Sequence, residues 1–261
     1  MQRTAQPPGV EPGEVLETYY EELLREFGPQ HWWPARTRLE VILGAILTQN
    51  TTWQNAARAI ARLREAGLLR WSRLRQTSLA ELERCVRPAG YFRQKARTIQ
   101  TFVHWLDEAR SGSLEVLFAQ PPEVARSQLL ALRGLGPETA DAILLYAGKL
   151  PFFVADAYTR RVLARHNLIH PDDGYSAAQD FIHQHLPADE ELFNEFHALL
   201  VEVGKRHCKR QAAECRGCPL EPFLPGHGEP QTRRRIKVPR PQAAFRPFQE
   251  REVGVKAHGS E

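Results

Sequence analysis

Residues 132–156 read LRGLGPETADAILLYAGKLPFFVAD, and this stretch decides the fold of the chain. Gly134 and Gly136 flank one apolar residue between two segments whose apolar side chains recur at helical spacing. Because glycine has no Cβ and tolerates positive φ, such a hairpin can bring several backbone N–H groups close to an anion. Pro137 suits the first position of the second helix, whose N–H groups and positive dipole end face the same hairpin. The stretch therefore predicts two helices joined by an anion-binding hairpin.

The composition limits the class of protein. With 261 residues, of which 42% are hydrophobic, the chain is long enough for one large folded core or two modest ones. Its longest apolar runs, such as residues 41–47, are far too short to cross a bilayer, and the polar N-terminus has no signal segment. We therefore expect a cytoplasmic protein that does not enter a membrane.

The net charge of +4 is concentrated at the C-terminal end of the chain. Residues 225–261 hold eight Lys and Arg against four Asp and Glu, whereas the preceding residues hold 27 of each. We expect this basic tail to be disordered and solvated. A further hypothesis is that the tail attracts the phosphates of a nucleic acid, an interaction that salt would weaken.

Helical patterns account for nearly the whole chain. Strand patterns are scarce, since residues 151–154 are the one candidate and are too short to seed a sheet. The sequence therefore predicts an all-α fold. The segments predicted as helices are 15–27, 37–48, 54–66, 78–85, 92–108, 122–131, 137–147, 156–165, 176–185 and 190–207.

The hairpin, followed by Thr139 and then by Asp156 twenty residues after Gly136, resembles the helix-hairpin-helix and catalytic aspartate of the endonuclease III superfamily of DNA glycosylases. The resemblance implies a monomer that binds double-stranded DNA containing a damaged base. It implies two helical subdomains with the DNA in the cleft between them. The DNA-binding residues that it implies in this stretch are Leu132, Gly134, Leu135, Gly136 and Thr139.

The same resemblance divides the chain. Residues 37–148 would form a six-helix subdomain that contains the hairpin. Residues 15–36 would pack with residues 149–224 as the second subdomain, which contains a cysteine-rich loop. Residues 1–14 and the basic tail 225–261 would be disordered ends.

Asp156 and Glu138 bear on the reaction. Asp156 can be a helix N-cap, and a carboxylate there can also stabilise the oxocarbenium-like sugar left by a departing base or orient the attacking water. Bifunctional members of the superfamily use a lysine just after the hairpin to form a Schiff base, and this chain has Glu138 there. We expect a monofunctional glycosylase that leaves an abasic site. The alternatives are a glycosylase with lyase activity and a non-catalytic DNA-binding protein.

The residues that would hold the damaged base follow from a narrower resemblance. Residues 31–34 (HWWP), 44–51 (GAILTQNT) and 85–96 (CVRPAGYFRQKA) are similar to the 3-methyladenine DNA glycosylase branch. That branch implies a base pocket lined by aromatic and proline side chains, and thus alkylated purines as substrates; another damaged or mismatched base is the alternative. The spacing alone puts Trp33 and Trp53 at opposite ends of a helix of about 20 Å, unless the chain doubles back. The implied pocket residues are Trp32, Trp33, Pro34 and Trp53.

Two residues are implied to enter the duplex when the damaged nucleotide is flipped out. In the superfamily, side chains at the positions of Gln49 and Tyr91 fill the gap that the flipped base leaves. The alternatives are a capping role for Gln49 and simple packing of Tyr91 in a turn.

Three cysteines resemble most of an iron–sulfur loop. Cys208, Cys215 and Cys218 have the superfamily's [4Fe–4S] spacing, but Leu224 stands where the fourth cysteine is expected. The remaining cysteine, Cys85, is interpreted as a structural thiol. A cluster held by three cysteines and another ligand is the preferred hypothesis, and zinc or no metal are the alternatives. The nearest candidates for a further ligand are His207 and His227.

Overall fold

The computed structural model describes residues 11–225, which form a helical fold. Its helices are α1 (Pro12–Phe27), α2 (Arg38–Leu47), α3 (Trp53–Glu65), α4 (Trp71–Leu74), α5 (Leu79–Val86), α6 (Phe92–Arg110), α7 (Leu114–Phe118), α8 (Pro122–Leu130), α9 (Pro137–Ala142), α10 (Ala157–Arg165), α11 (Tyr175–His185) and α12 (Glu190–Arg206). A π-helical turn, Ile143–Ala147, continues α9, and residues 11–225 contain no β-strand. No helix in this range is long and apolar enough to span a bilayer. The predicted all-α fold is confirmed.

Side-chain caps and apolar content explain where α2 and α3 begin and how α2 is buried. Thr37 Oγ1 accepts the backbone N–H of Glu40 at 3.2 Å, and Thr52 Oγ1 accepts that of Asn55 at 3.4 Å. Each cap satisfies an N–H that has no partner within its helix. Residues 39–47 of α2 are all buried, so this helix lies inside the core.

Two helices differ from their predicted extent. Helix α1 begins at Pro12, so the predicted disorder of residues 1–14 is wrong at residues 12–14, because proline at the first helical position has its φ already set. Residues 1–10 lie outside the described part, as does the predicted tail 225–261 apart from Pro225. The helix predicted at 137–147 keeps its length, but its second half is the π turn.

The helices pack into one continuous core. Helices α1 and α10 pack on α12, while α2 packs on α3, α6, α9 and the π turn. Helix α12 also contacts the π turn, so the two sets of helices meet there. The buried apolar side chains of both sets belong to a single cluster. The boundaries of the two subdomains remain a prediction.

Residues 151–156 carry the chain from the π turn to α10 in an extended conformation. The backbone N–H of Phe153 donates to His183 Nε2 at 3.0 Å, and its carbonyl accepts from Gln179 Nε2 at 2.6 Å. The candidate strand at 151–154 is therefore a single extended segment fixed by side chains of α11, and it ends at Asp156.

A buried carboxylate joins this segment to the hairpin. Asp141 of α9 is fully buried and accepts from Arg126 Nε at 2.6 Å and Arg126 Nη2 at 3.0 Å. It also accepts from Tyr175 Oη at 2.8 Å and from Gln179 Nε2 at 2.7 Å. Since Gln179 also binds the carbonyl of Phe153, helices α8, α9 and α11 and the extended segment form one hydrogen-bonded unit.

Candidate active site

The predicted hairpin lies between α8 and α9. Gly134 has a φ of +96°, and a Cβ at this position would lie 2.1 Å from Thr98 Oγ1 of α6. Leu135 is buried, whereas a Cβ on Gly136 would meet nothing within 4 Å. The first glycine is therefore required by packing, and the second leaves open space before the N-terminus of α9.

We expect Gly134→Ala to damage the hairpin while Gly136→Ala leaves the free energy of unfolding nearly unchanged. Alanine at position 134 must adopt positive φ and displace Thr98, which should lower stability by about 1–3 kcal/mol and weaken duplex binding. Urea unfolding and fluorescence anisotropy with a labelled duplex measure the two effects. Equal free energies of unfolding for Gly134→Ala and Gly136→Ala would contradict the conclusion that packing requires glycine at position 134.

The two residues predicted to enter the duplex differ in their present contacts. Tyr91 is 69% exposed with a φ of +44°, so its side chain is accessible to a ligand. Gln49 Nε2 donates to the carbonyl of Gly134 at 2.9 Å and to Thr139 Oγ1 at 2.8 Å. Gln49 therefore fastens the end of α2 to the hairpin, and entry into DNA would exchange these two hydrogen bonds for others.

Lys95 connects the backbone near both residues, and the sequence interpretation missed it. It is buried, and its Nζ donates to the carbonyls of Leu47 at 3.0 Å and Ala89 at 2.7 Å. Burial lowers the pKa of Lys95 to about 8. A lysine on the buried face of amphipathic α6 is the sequence signal that could have identified it. Lys95 ties the last residue of α2 to the turn that precedes Tyr91.

The predicted catalytic aspartate stands at the N-terminus of α10. Asp156 Oδ1 accepts the backbone N–H groups of Tyr158 at 2.9 Å and Thr159 at 2.8 Å, so the residue is also a helix N-cap. Its Oδ2 lies 3.7 Å from His197 Nε2, and its side chain is 16% exposed. Burial acts to raise the pKa of Asp156, but the His197 imidazole and the Thr159 N–H hold it below its ordinary value. Asp156 is thus ionised at neutral pH, with one oxygen outside the cap.

Glu138, at the superfamily's lysine position, is electrostatically coupled to Asp156. It stands in the first turn of α9 and is solvent-exposed. Partial desolvation and the negative charge of Asp156 raise the pKa of Glu138, while the pKa of Asp156 is lowered. Two carboxyl groups whose pKa values are pushed apart are typical of sites that divide acid and base roles.

His197 and Tyr146 complete the surroundings of Asp156, and sequence reasoning missed both. His197 of α12 is 5% exposed, and its Nδ1 lies 2.5 Å from Tyr146 Oη. The Tyr146 ring packs on Trp33 with centroids 5.3 Å apart. A histidine within the apolar sequence 193–200 was the available signal, although a packed core histidine gives the same pattern.

The three predicted pocket tryptophans are in mutual contact. Ring centroids lie 5.5 Å apart for Trp32 and Trp33, 6.0 Å for Trp32 and Trp53, and 5.2 Å for Trp33 and Trp53. The chain doubles back because residues 34–37 are not helical, so the Trp33 ring lies along α2. A Cβ on Gly44 would lie 3.1 Å from Trp33 Cζ2, so glycine makes room for the indole.

Two further residues border this aromatic cluster, which consists of Trp32, Trp33 and Trp53. Pro34, predicted to line the pocket, is solvent-exposed and directly follows Trp33. Lys205 of α12 places its Nζ 5.5 Å from the centroid of the Trp32 ring. The face of Trp32 therefore already attracts a cation.

The three cysteines line one cavity of about 310 Å³, part of which is open to solvent. Leu224, at the expected fourth ligand position, lines it as well. Arg165 Nη1 donates to Cys208 Sγ at 3.2 Å, and Arg161 Nε donates to the carbonyl of Cys208 at 2.6 Å. The loop is thus held against α10 by protein contacts. The thiols that line the cavity are those of Cys208, Cys215 and Cys218.

These residues fit a [4Fe–4S] cluster only in part. Within residues 11–225, no three His, Cys, Asp or Glu side chains are arranged to hold a metal ion. His207, a candidate ligand, lines the cavity but directs Nδ1 toward the Glu214 carbonyl at 3.3 Å, while His227 lies outside the described residues. Burial lowers the pKa of His166, which also lines the cavity, to about 4. A fourth thiolate is missing from the cavity, where Leu224 stands at its expected position.

An all-α fold with a glycine hairpin, an aspartate capping the helix that follows, and an aromatic cluster nearby defines a helix-hairpin-helix DNA glycosylase. Residues 43–187 match the family model described as "HhH-GPD superfamily base excision DNA repair protein". The chain belongs to this superfamily and is a DNA glycosylase of base excision repair. The resemblance to endonuclease III-like proteins is confirmed.

Individual relatives agree with this membership. The chain is 38% identical over 80% of its length to a protein of Methanocaldococcus jannaschii, named provisionally as a DNA repair glycosylase, and covers 96% of it. It is 26% identical over 72% of its length to endonuclease III of Sulfolobus acidocaldarius, covering 82% of that chain. The H. pylori 3-methyladenine DNA glycosylase bound to 1,N6-ethenoadenine matches with a TM-score of 0.65 at 25% identity, covering 76% of this chain and 98% of that one. An endonuclease III–DNA complex has the same fold, with a TM-score of 0.70 at 23% identity over 83% and 96% of the two chains.

Proposed function

We propose that this DNA glycosylase hydrolyses the N-glycosidic bond of alkylated purines such as 3-methyladenine in double-stranded DNA and leaves an abasic site. The observation that carries the proposal is the mutual contact of three indole rings, which Tyr146 and His197 link to Asp156. The cluster reaches Tyr146 through Trp33, Tyr146 contacts His197, and His197 faces Asp156. A base held against the indoles would therefore lie close to the carboxylate.

The chemistry of alkylated bases suits an aromatic pocket. Alkylation at a purine ring nitrogen gives the base a positive charge, and a cation over an indole face gains about 0.5–2 kcal/mol, more when desolvated. Lys205 Nζ lies 5.5 Å from the centroid of the Trp32 ring, so a cationic base would have to displace this ammonium or use the faces of Trp33 and Trp53. A charged base also leaves easily, so no strong general acid is required. The H. pylori relative, whose title names 3-methyladenine, supports the same substrate class.

Asp156 would act on the sugar. After the nucleotide is flipped out, the electrons of the C1′–N bond pass to the alkylated base, which leaves neutral. The carboxylate stabilises the resulting oxocarbenium-like sugar through Oδ2, since Oδ1 is engaged in the helix cap. Water then adds to C1′, and its proton passes to Asp156 or to solvent. Because the pKa of Asp156 is lowered, the anion is present at neutral pH.

Glu138 is the reason that we expect no strand cleavage. A lyase needs an amine at this position to form a Schiff base with the sugar, and a carboxyl group cannot do so. Lys149, which follows the hairpin helices, pairs with Glu190 Oε1 at 2.5 Å. In our proposal Gln49 and Tyr91 fill the gap in the duplex while the hairpin backbone, with Leu132, Gly134, Leu135, Gly136 and Thr139, holds the phosphates.

The test is to incubate the full-length protein with methylated duplex DNA and to analyse released bases and strand integrity before and after alkali. We expect free 3-methyladenine, with strands that stay intact until alkali is added. Strand breaks without alkali, trapped by borohydride, would show a lyase instead. Release of a different damaged or mismatched base, with none of 3-methyladenine, would assign another substrate. Binding without release of any base would leave a DNA-binding protein.

A further inference from the structure

The two oxygens of Asp156 have different surroundings. Oδ1 accepts two backbone N–H groups of α10 and is fixed by the helix. Oδ2 faces His197 Nε2 at 3.7 Å and accepts neither of the two cap N–H groups. The oxygen that acts on the sugar in the proposed function is therefore the one that the helix does not orient.

His197 has one nitrogen engaged and one without a partner. Its Nδ1 lies 2.5 Å from Tyr146 Oη, whereas its Nε2 is buried and makes no hydrogen bond in the described residues. Burying a ring nitrogen without a hydrogen-bond partner costs free energy, so the acceptor that Nε2 faces bears on the role of this residue. That acceptor is Asp156 Oδ2, which approaches from α10 as His197 does from α12.

The tautomer of His197 is linked to its hydrogen bond with Tyr146. Full burial and the negative charge of Asp156 raise the pKa of Tyr146 well above its ordinary value, so the hydroxyl keeps its proton. Either group can donate in this contact; when the hydroxyl donates, Nδ1 is the unprotonated nitrogen. With the hydroxyl as donor, the ring proton sits on Nε2 and is directed toward the carboxylate, and positioning of Asp156 by Nε2–H requires this arrangement.

We propose that His197 is a positioning residue that orients Asp156 Oδ2 through Nε2–H, and that Tyr146 sets the required tautomer. This role rests on the proposed function, in which Asp156 is the catalytic carboxylate. Because the Tyr146 ring packs on Trp33, the same pair connects the base pocket to the carboxylate. Orientation of one oxygen by a buried imidazole resembles the way other enzymes fix a catalytic group through a second residue.

The kinetic test compares His197→Met with His197→Gln. Gln retains an N–H donor near the position of Nε2, whereas Met removes it at similar volume. In single-turnover base release from methylated duplex DNA, we expect His197→Met to be slower by about 10- to 100-fold and His197→Gln to keep most of the rate. DNA affinity should stay unchanged in both. His185→Gln, a half-buried histidine of α11, serves as the matched control and should keep the wild-type rate.

Two further readouts separate positioning from a structural role. Loss of His197 should raise the pKa of Asp156, so the acid side of the pH–rate profile should move to higher pH in His197→Met; Glu138 and Arg160 also influence this cleft electrostatically. Tyr146→Phe should slow the reaction, and adding it to His197→Met should cause no further loss, since both act through one chain of contacts. The proposal would be overturned if the acid side of the pH–rate profile did not move in His197→Met. It would also be overturned if the rate losses of His197→Met and Tyr146→Phe added up in the double variant.

A substrate-independent measurement keeps this proposal separate from the proposed function. Nitrogen-15 imidazole spectra of the full chain should show His197 protonated at Nε2 and not at Nδ1, and Tyr146→Phe should change that signature. A proton on Nδ1 would contradict the proposal even if base release is observed. If the wild type releases no alkylated base, the proposed substrate is wrong, and the tautomer still decides the positioning role. If the wild type is active and a folded His197→Met is equally fast, the positioning role is wrong.

Discussion

Asp156→Asn is expected to slow base release by about 10²-fold or more while fold and DNA binding are retained. Asparagine is as good an N-cap as aspartate, so its side-chain oxygen can still accept the N–H groups of Tyr158 and Thr159. What the substitution removes is the charge that stabilises the sugar cation. Single-turnover base release and thermal melting measure the two consequences separately.

Asp189→Asn is the matched control for this variant. Asp189 caps α12 by accepting the backbone N–H of Leu192 at 3.0 Å, so the same chemical change is made at another helix N-terminus. We expect it to keep wild-type activity. If Asp156→Asn releases base at the wild-type rate, Asp156 acts only as a cap, and the carboxylate mechanism is wrong.

Arg126→Met is expected to lower the free energy of unfolding by about 3–5 kcal/mol. Asp141 is fully buried, and Arg126 is its only ion-pair partner in residues 11–225. Removing the guanidinium leaves a buried carboxylate with only the hydroxyl of Tyr175 and the amide of Gln179. Because Gln179 also holds the carbonyl of Phe153, the extended segment before Asp156 should loosen with it.

Urea unfolding of Arg126→Met and Arg84→Met provides the comparison. Arg84 makes an ion pair with Glu81 at 3.8 Å on the surface, with 76% of its side chain exposed, so its loss should cost less than about 1 kcal/mol. Equal free energies of unfolding for the two variants would mean that the ion pair with Arg126 does not stabilise the buried Asp141.

Local patterns in the sequence were sufficient to predict most of the helices and the hairpin. Capping residues such as Thr37 and Thr52, and apolar spacing at 3.6 residues, act within a few residues of one another, so they can be read directly. The short helices α4 and α7 were not predicted, since four and five residues contain too little periodicity. The π turn was not predicted either, because its side chains have the same apolar pattern as an ordinary buried helix.

The site was only partly accessible from the sequence. Asp156 follows the hairpin at a distinctive spacing, and Glu138 stands at a recognisable position, so the sequence singled out both; their roles in the reaction stay predictions. The sequence spacing of Trp33 and Trp53 gave no reason to expect contact between them. Their contact depends on a loop that reverses the chain, so that the Trp33 ring lies beside Gly44. His197 lies on a distant helix and reaches Asp156 only through the packing of α12.

The sequence by itself determined the all-α fold and the hairpin and singled out Asp156 as the candidate catalytic carboxylate, because each depends on short-range geometry and on residue types at fixed spacing. Tertiary structure alone decided which oxygen of Asp156 is available, which indoles form a cluster, and that Lys95 and Asp141 are buried with polar partners. Those features arise where segments far apart in the chain pack together. Packing depends on the shape and volume of many side chains at once, so it cannot be predicted from any short pattern of residues.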